Sequence, residues 1–222
     1  MLRHQLLLSA SAAPWCLHGN VGTNEESGPR VGAQDAAEVT ASEPSNVVYL
    51  GISGVLHPSA SLYRVIRGRS PWSDGHTEYE SVPVLNAALA GWPEARIVLT
   101  STQPWARGLQ TVLKQLGPGL ASRVIGFTYE DLTTKVRVGD RQLPFSSNGY
   151  WRLMKSEVVR YHVPWLRPSA WIVIDDETVF WTPREWQDHV VATDGCEGLR
   201  EPRAQDRLLT LLAGNFGQSN TR

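Results

Sequence analysis

The chain has 222 residues, of which 41% are apolar, and 21 basic against 22 acidic side chains give a formal net charge of −1. That length suits one domain or slightly more, and near-neutrality excludes a polybasic nucleic-acid arm or an acidic tail as the dominant feature. Nine Trp are too many for a disordered chain, no apolar run approaches the ~18 residues that span a membrane, and Cys16 and Cys196 lie too far apart for a disulfide framework or a CxxC metal site.

Residues 1–45 hold only one of the chain's 19 aromatics, Trp15, and carry two basic against five acidic side chains. From Asn20 to Ser45 neither helical nor strand periodicity is present, so 1–45 reads as a disordered leader. Its first thirteen residues have Arg3, a Leu6–Leu8 patch and Ala10-Ser11-Ala12. The apolar stretch is short and interrupted by serine, which fits a floppy tail or an upstream start better than a signal peptide. With no membrane span either, the expected location is the cytoplasm.

The pattern changes at Asn46. Val47–Leu50 is a short apolar run ending in Gly51, as a buried strand does. Val82–Leu89 has helical spacing and stops at Gly91-Trp92-Pro93. Arg96–Leu99 reads as a second buried strand running into Thr100-Ser101-Thr102. Trp105–Leu116 reads as a helix closed by Gly117, and Arg123–Phe127 as a third strand. A helix is expected over Trp151–Tyr161 with Val158 and Val159 inward, then a strand over Trp171–Ile174 that ends at Asp175-Asp176. Val190–Thr193 makes a fifth strand. Pro202 opens a last helix with Leu208, Leu209, Leu211 and Leu212, stopped by Gly214, which leaves 215–222 as a flexible tail. Alternation of this kind means an α/β domain over 46–214, a mostly parallel sheet with helices on both faces. Trp105 and Trp171 are the tryptophans expected to be buried.

Ligands of an open parallel sheet bind beyond the carboxyl ends of its strands. Three strand ends here are polar: Gly51-Ile52-Ser53-Gly54, Thr100-Ser101 and Asp175-Asp176. Taken singly each suits a capped loop, and the aspartate pair suits an N-cap. Adjacent carboxylates nevertheless repel unless a cation or a hydrogen-bond network offsets them. Lys155, at the start of the helix before the fourth strand, can reach the same edge. Hydroxyls, a lysine and a carboxylate-bound Mg²⁺ together make a phosphate site.

These elements resemble the haloacid dehalogenase (HAD) superfamily of phosphotransferases. The carrying residues are VVYLGISGVLHP (Val47–Pro58), RIVLTSTQPW (Arg96–Trp105), Lys155 and WIVIDDE (Trp171–Glu177). More narrowly the chain is similar to the HAD domain of Swiss Army Knife RNA-repair proteins, and Gly198-Leu199-Arg200 stands where that family has a Gly-Leu-Thr turn. The resemblance implies a Rossmann-like HAD fold with at most a small cap insertion. It assigns the nucleophile to position 51 and the acid/base residue to position 53, both aspartates in the family. It makes Thr100 or Ser101 the phosphate-holding hydroxyl, Lys155 the charge stabiliser, and Asp175 and Asp176 the metal pair.

Here the first two positions hold Gly51 and Ser53. A glycine cannot form an aspartyl-phosphate, and a serine hydroxyl cannot act unaided as the acid/base residue. The expectation is therefore a pseudoenzyme that binds a phosphorylated small molecule, an RNA end or a protein partner, with weakened Mg²⁺ binding. The alternatives are a Mg²⁺-dependent phosphohydrolase that uses a metal-activated water, and a pure interaction scaffold. Gln103-Pro104 before Trp105 replaces the family's Trp-Arg. The cap segment carries Tyr63, Arg64, Arg67, Arg69 and Trp72, and the loop Asp131–Gly149 carries Lys135, Arg137 and Arg141. Both read as solvated surface, with contact to a phosphate backbone as the second reading. His57 reads as a hydrogen-bonded structural histidine.

Overall fold

A computed structural model of the chain describes residues 46–128 and 154–217. The leader assigned to 1–45 and the basic loop Asp131–Gly149 lie outside these residues, as does the tail beyond 217. Five strands form one sheet: β1 (Asn46–Leu50), β2 (Arg96–Leu99), β3 (Val124–Phe127), β4 (Ala170–Asp175) and β5 (Val190–Ala192). Their order is β3-β2-β1-β4-β5 and every pairing is parallel. The chain moves outward from β1 through β2 to β3, then returns to place β4 on the other side of β1. Connections therefore diverge between β1 and β4, the switch point where an open sheet leaves a crevice.

The five strand assignments agree with the apolar runs, most clearly for β1, β2 and β4, since a central parallel strand is buried on both faces and reads as a continuous apolar stretch. All five residues of β1 are buried. One face of the sheet packs Val48, Leu50, Ile97, Leu99, Ile172 and Ile174 against α2 (Val82–Ala88), α4 (Leu109–Ala121) and α7 (Pro202–Phe216). The other packs Val47, Tyr49, Val98 and Val173 under α5 (Lys155–Leu166). Helix α6 (Pro183–His189) is tied to α5 by Arg160, whose Nε donates to Glu185 Oε1 at 2.7 Å.

Three helical expectations change. The segment expected as one helix over Trp105–Leu116 is two, α3 (Gln103–Arg107) and α4, broken at Gly108 with φ 84° and ψ 136°. That break removes Trp105 from the helical register of Val112 and Leu116 and leaves it 58% exposed rather than buried. Trp171 is only half-buried. Gly214 does not stop the last helix, which runs on to Phe216, 2% exposed. A glycine inside a helix costs about 1 kcal/mol, which burial of one Phe side chain offsets. The fourth-strand helix begins at Lys155 and continues to Leu166, and Trp151 lies outside the described residues.

The cap insertion is small. It consists of α1 (Ala60–Arg67) and a 3₁₀ turn at Pro71–Asp74. Tyr63 Oη donates to the Asp74 carboxylate at 2.7 Å and Arg69 Nε donates to it at the same distance, so Arg69 is committed to holding the insertion together. No described helix is long and apolar enough to cross a membrane.

Beneath α5, Tyr49 Oη lies 2.9 Å from His162 Nδ1, both side chains buried. Burial holds the tyrosine well above its ordinary range and pulls the histidine down to about 4, so the phenol donates and a neutral imidazole accepts. The unfolded chain takes up a proton at His162 below about pH 6.5, and the folded chain does not until about pH 4. The stability this site supplies is thus complete above 6.5 and is lost as pH falls towards 4, by on the order of 3 kcal/mol. Urea midpoints measured from pH 7 to 4.5 should fall more steeply for the wild type than for His162→Gln, which keeps an acceptor for Tyr49 but does not titrate.

Candidate functional site

The crevice between β1 and β4 is built from the strand ends that the sequence marks as polar. β4 terminates in Asp175, 1% exposed, followed by a half-buried Asp176. A carboxylate this deep needs partners, and Asp175 has three. Lys155 Nζ stands 2.8 Å from Asp175 Oδ2, Thr100 Oγ1 donates to the same oxygen at 3.1 Å, and Glu177 N donates to Oδ1 at 3.0 Å. The structure therefore brings Thr100, Lys155 and Asp175 together as the sequence predicts. Ser101 is buried too, and its Oγ accepts from Gln103 N, the first residue of α3, at 3.2 Å.

Lys155 is the first residue of α5, where a helix dipole disfavours a cation. Two acidic groups offset this. Glu157 accepts from Met154 N at 2.8 Å, and Glu177 accepts from Lys155 N at 2.9 Å. The lysine side chain then leans off the helix into the ion pair, 16% exposed against 2% for Asp175.

Gly51 follows β1 directly, and its N donates to Ile174 O at 2.9 Å, extending the β1–β4 ladder. A Cβ at this position would lie 2.6 Å from Asp175 Oδ2 and 3.0 Å from Val55 Cγ2. The space in which a side chain at 51 would begin is already filled by the Asp175 carboxylate. Gly54, at φ 77°, plays the same part for its neighbour, since a Cβ there would overlap the carboxyl of Asp176. That carboxyl is pushed up to about 6, first by burial and then by the Asp175 charge. Gly195, beyond the end of β5, likewise has no room for a Cβ, which would meet Leu62 of α1 and Asp176 Oδ2. Among the described residues no three His, Cys, Asp or Glu side chains gather in a way that could hold a metal ion.

Ser53 is exposed at the mouth. Its Oγ accepts from Gln103 Nε2 at 3.0 Å, and Gln103 Oε1 accepts from Tyr79 Oη at 2.8 Å. Tyr79 N donates to His57 Nδ1 at 3.1 Å, so His57 is the structural histidine its surroundings suggest. Neither Gln103 nor Tyr79 is marked as a site residue by the sequence. Gln103 stands out there only as a departure from the family's Trp-Arg. Gly198-Leu199-Arg200 folds back on the first loop, with Leu199 N donating to Val55 O at 2.8 Å.

Removing one member of a buried ion pair strands the other charge, which typically costs 3–5 kcal/mol. Lys155→Met should therefore lower the unfolding free energy by about 3 kcal/mol. Adding Asp175→Asn to it should recover most of that loss, because an amide carries no charge, keeps one oxygen to accept from Glu177 N and turns its NH₂ towards Thr100 Oγ1. Denaturant titration of the two single variants and the double variant measures the coupling.

No curated protein and no solved structure matches this chain. A family model does, over residues 47–204, which takes in four strands, β1 from Val47, the crevice and the turn at Gly198. By that match and by its α/β sheet, the chain belongs to the HAD domains found in Swiss Army Knife RNA repair proteins.

Proposed function

We propose that this domain binds a phosphate-bearing ligand, foremost a phosphorylated RNA end, at the β1–β4 crevice without transferring the phosphoryl group. The observation that carries this reading is the occupation of the nucleophile's place. Position 51 has no side chain, and the volume beside it holds a carboxylate that is locked to Lys155 and Thr100. Formation of an acyl phosphate needs a carboxylate oxygen free to attack phosphorus. Asp175 Oδ2 is instead buried and engaged by two donors. Position 53 offers a hydroxyl whose proton is not available for general acid catalysis near neutral pH.

The donor set suits Mg²⁺ poorly. That ion demands near-octahedral oxygen ligation and binds through carboxylates, whereas both Asp175 oxygens already accept hydrogen bonds and Asp176 is partly desolvated. Exchanging two aspartates for Gly51 and Ser53 also removes two negative charges, the same charge that a divalent cation would neutralise. Lys155 then serves as the local cation. In this reading Lys155 offsets the Asp175 charge without a divalent cation, which disfavours a metal-activated water.

Phosphate release by the full chain from an aryl phosphate and from end-phosphorylated RNA, with and without Mg²⁺, should not exceed that of an Asp175→Asn/Asp176→Asn control. Inorganic phosphate and end-phosphorylated RNA should each raise the thermal midpoint, since a ligand at 100 times its Kd adds about 2.7 kcal/mol to stability. Mg²⁺-dependent release that vanishes in the control would replace this reading with a metal-dependent hydrolase. Absence of both release and protection would leave a protein-interaction scaffold.

Gly51→Asp with Ser53→Asp tests the charge argument from the other side. An aspartate at 51 must displace the Asp175 carboxylate from its present position, which frees that group to bind a cation. Calorimetry should detect Mg²⁺ binding in the double variant and none in the wild type.

A further inference from the structure

Where the family resemblance places a second aspartate, this chain has a hydroxyl whose orientation is governed from outside the crevice. Gln103 Nε2 donates to Ser53 Oγ, so the serine uses a lone pair on the glutamine and keeps its own hydrogen. Among the described residues Ser53 donates that hydrogen to no other side chain, and Ser53 is exposed at the mouth. We infer that Ser53 is an anion-binding donor, its hydrogen directed at the ligand by a relay that runs from Tyr79 through Gln103.

The relay has a fixed direction because its far end is anchored. Tyr79 Oη donates to Gln103 Oε1, which turns the amide so that its NH₂ faces Ser53. Burial pushes the Tyr79 phenol up to about 12, so it remains a donor throughout the neutral range. Tyr79 itself sits at φ 60°, a left-handed conformation that a bulky residue adopts only when its surroundings impose it. Its N is held by His57 Nδ1, its carbonyl accepts from Val82 N at 3.0 Å, and its ring meets His57 edge-on at 5.2 Å. A second clamp ties the same loop to α3, where Arg107 spans Glu78 with two bonds of 3.1 and 3.0 Å. The strained loop and the short helix are thus fastened at Gln103 and again at Arg107.

A carboxylate at position 53 would present only acceptors to the crevice. Ser53 under this relay presents a donor, and a donor suits the terminal oxygens of a phosphomonoester. The inference rests on the proposed phosphate-binding function and specifies the residue that recognises the anion. The near-isosteric Gln103→Glu tests it, because a carboxylate accepts from both Tyr79 and Ser53 and so turns the serine hydrogen inward. Its added charge also repels phosphate, so the effect must be read with and without Ser53.

The experiment is a thermal-shift titration of the full chain with inorganic phosphate and with end-phosphorylated RNA. It compares the wild type, Ser53→Ala, Gln103→Glu and the double variant, and scores the ligand-induced increment separately from the ligand-free midpoint. Ser53→Ala and Gln103→Glu should each weaken phosphate about tenfold, and the double variant should be no weaker than the worse single one. An undiminished response in Ser53→Ala overturns the inference alone. So does a Gln103→Glu penalty that persists in full without Ser53, which would mark simple charge repulsion. No protection of the wild type by either ligand overturns the proposed function and this inference with it.

Discussion

The ion pair between Lys155 and Asp175 is the contact on which the crevice depends. It joins the first residue of α5 to the last residue of β4 at 2.8 Å, with the carboxylate 2% exposed. Three surrounding features follow from it. Thr100 and Glu177 supply the hydrogen bonds that a carboxylate at that depth requires. Glu157 and Glu177 offset the unfavourable placement of a lysine at a helix start. Gly51 leaves the volume into which Asp175 fits. Buried pairs of this kind seldom add much net stability, but breaking one is costly. A substitution at either residue therefore acts on folding as well as on the geometry of the crevice.

The glycine at 51 changes the meaning of the acidic pair. In a site built around an attacking aspartate, Asp175 would share a cation with that residue. Here the Asp175 carboxylate lies where a side chain at Gly51 would begin, and Lys155 is its counter-ion. The adjacent Asp176 packs against the bare backbone of Gly54 and Gly195, where any side chain would collide with it. These local choices agree with one another: small residues stand where the carboxylates lie, and a single lysine stands where their charge gathers.

The cap and the mouth follow a different logic. Of the arginines in the cap segment, Arg69 is spent on Asp74, and beyond that segment Arg107 is spent on Glu78. Their positive charge is thereby used to fasten loops to one another. Arg160, spanning Glu185 and the Phe180 carbonyl, does the same between α5 and α6. The expectation of a solvated surface for the cap segment describes Arg69 incompletely, since it is paired with Asp74. Sequence composition cannot distinguish a strut from a free charge, because both are polar and near the surface.

The strands and the polar strand ends were legible from the chain alone. Apolar runs such as Val47–Leu50 and Trp171–Ile174 can satisfy their burial only inside a covered parallel sheet, and the carboxyl ends of such strands must share one edge. Thr100, Lys155 and Asp175 could therefore be placed together before any coordinate was known. Helix α6 was legible in principle, since Thr182 and Glu185 form a capping box in which Thr182 Oγ1 accepts from Glu185 N at 3.2 Å. What the tertiary structure decided were contacts between residues far apart in the chain. Gly108 splits a segment that periodicity reads as one helix and turns Trp105 outward. Tyr79, Gln103 and Ser53 meet from two loops and the start of α3. The Asp175 carboxylate settles against Gly51 from 124 positions away along the chain. Periodicity encodes which side of an element faces the core, because that depends on local spacing. It carries nothing about which atom of a second loop will fill the space that a missing side chain leaves, because that is fixed only when the whole sheet edge assembles.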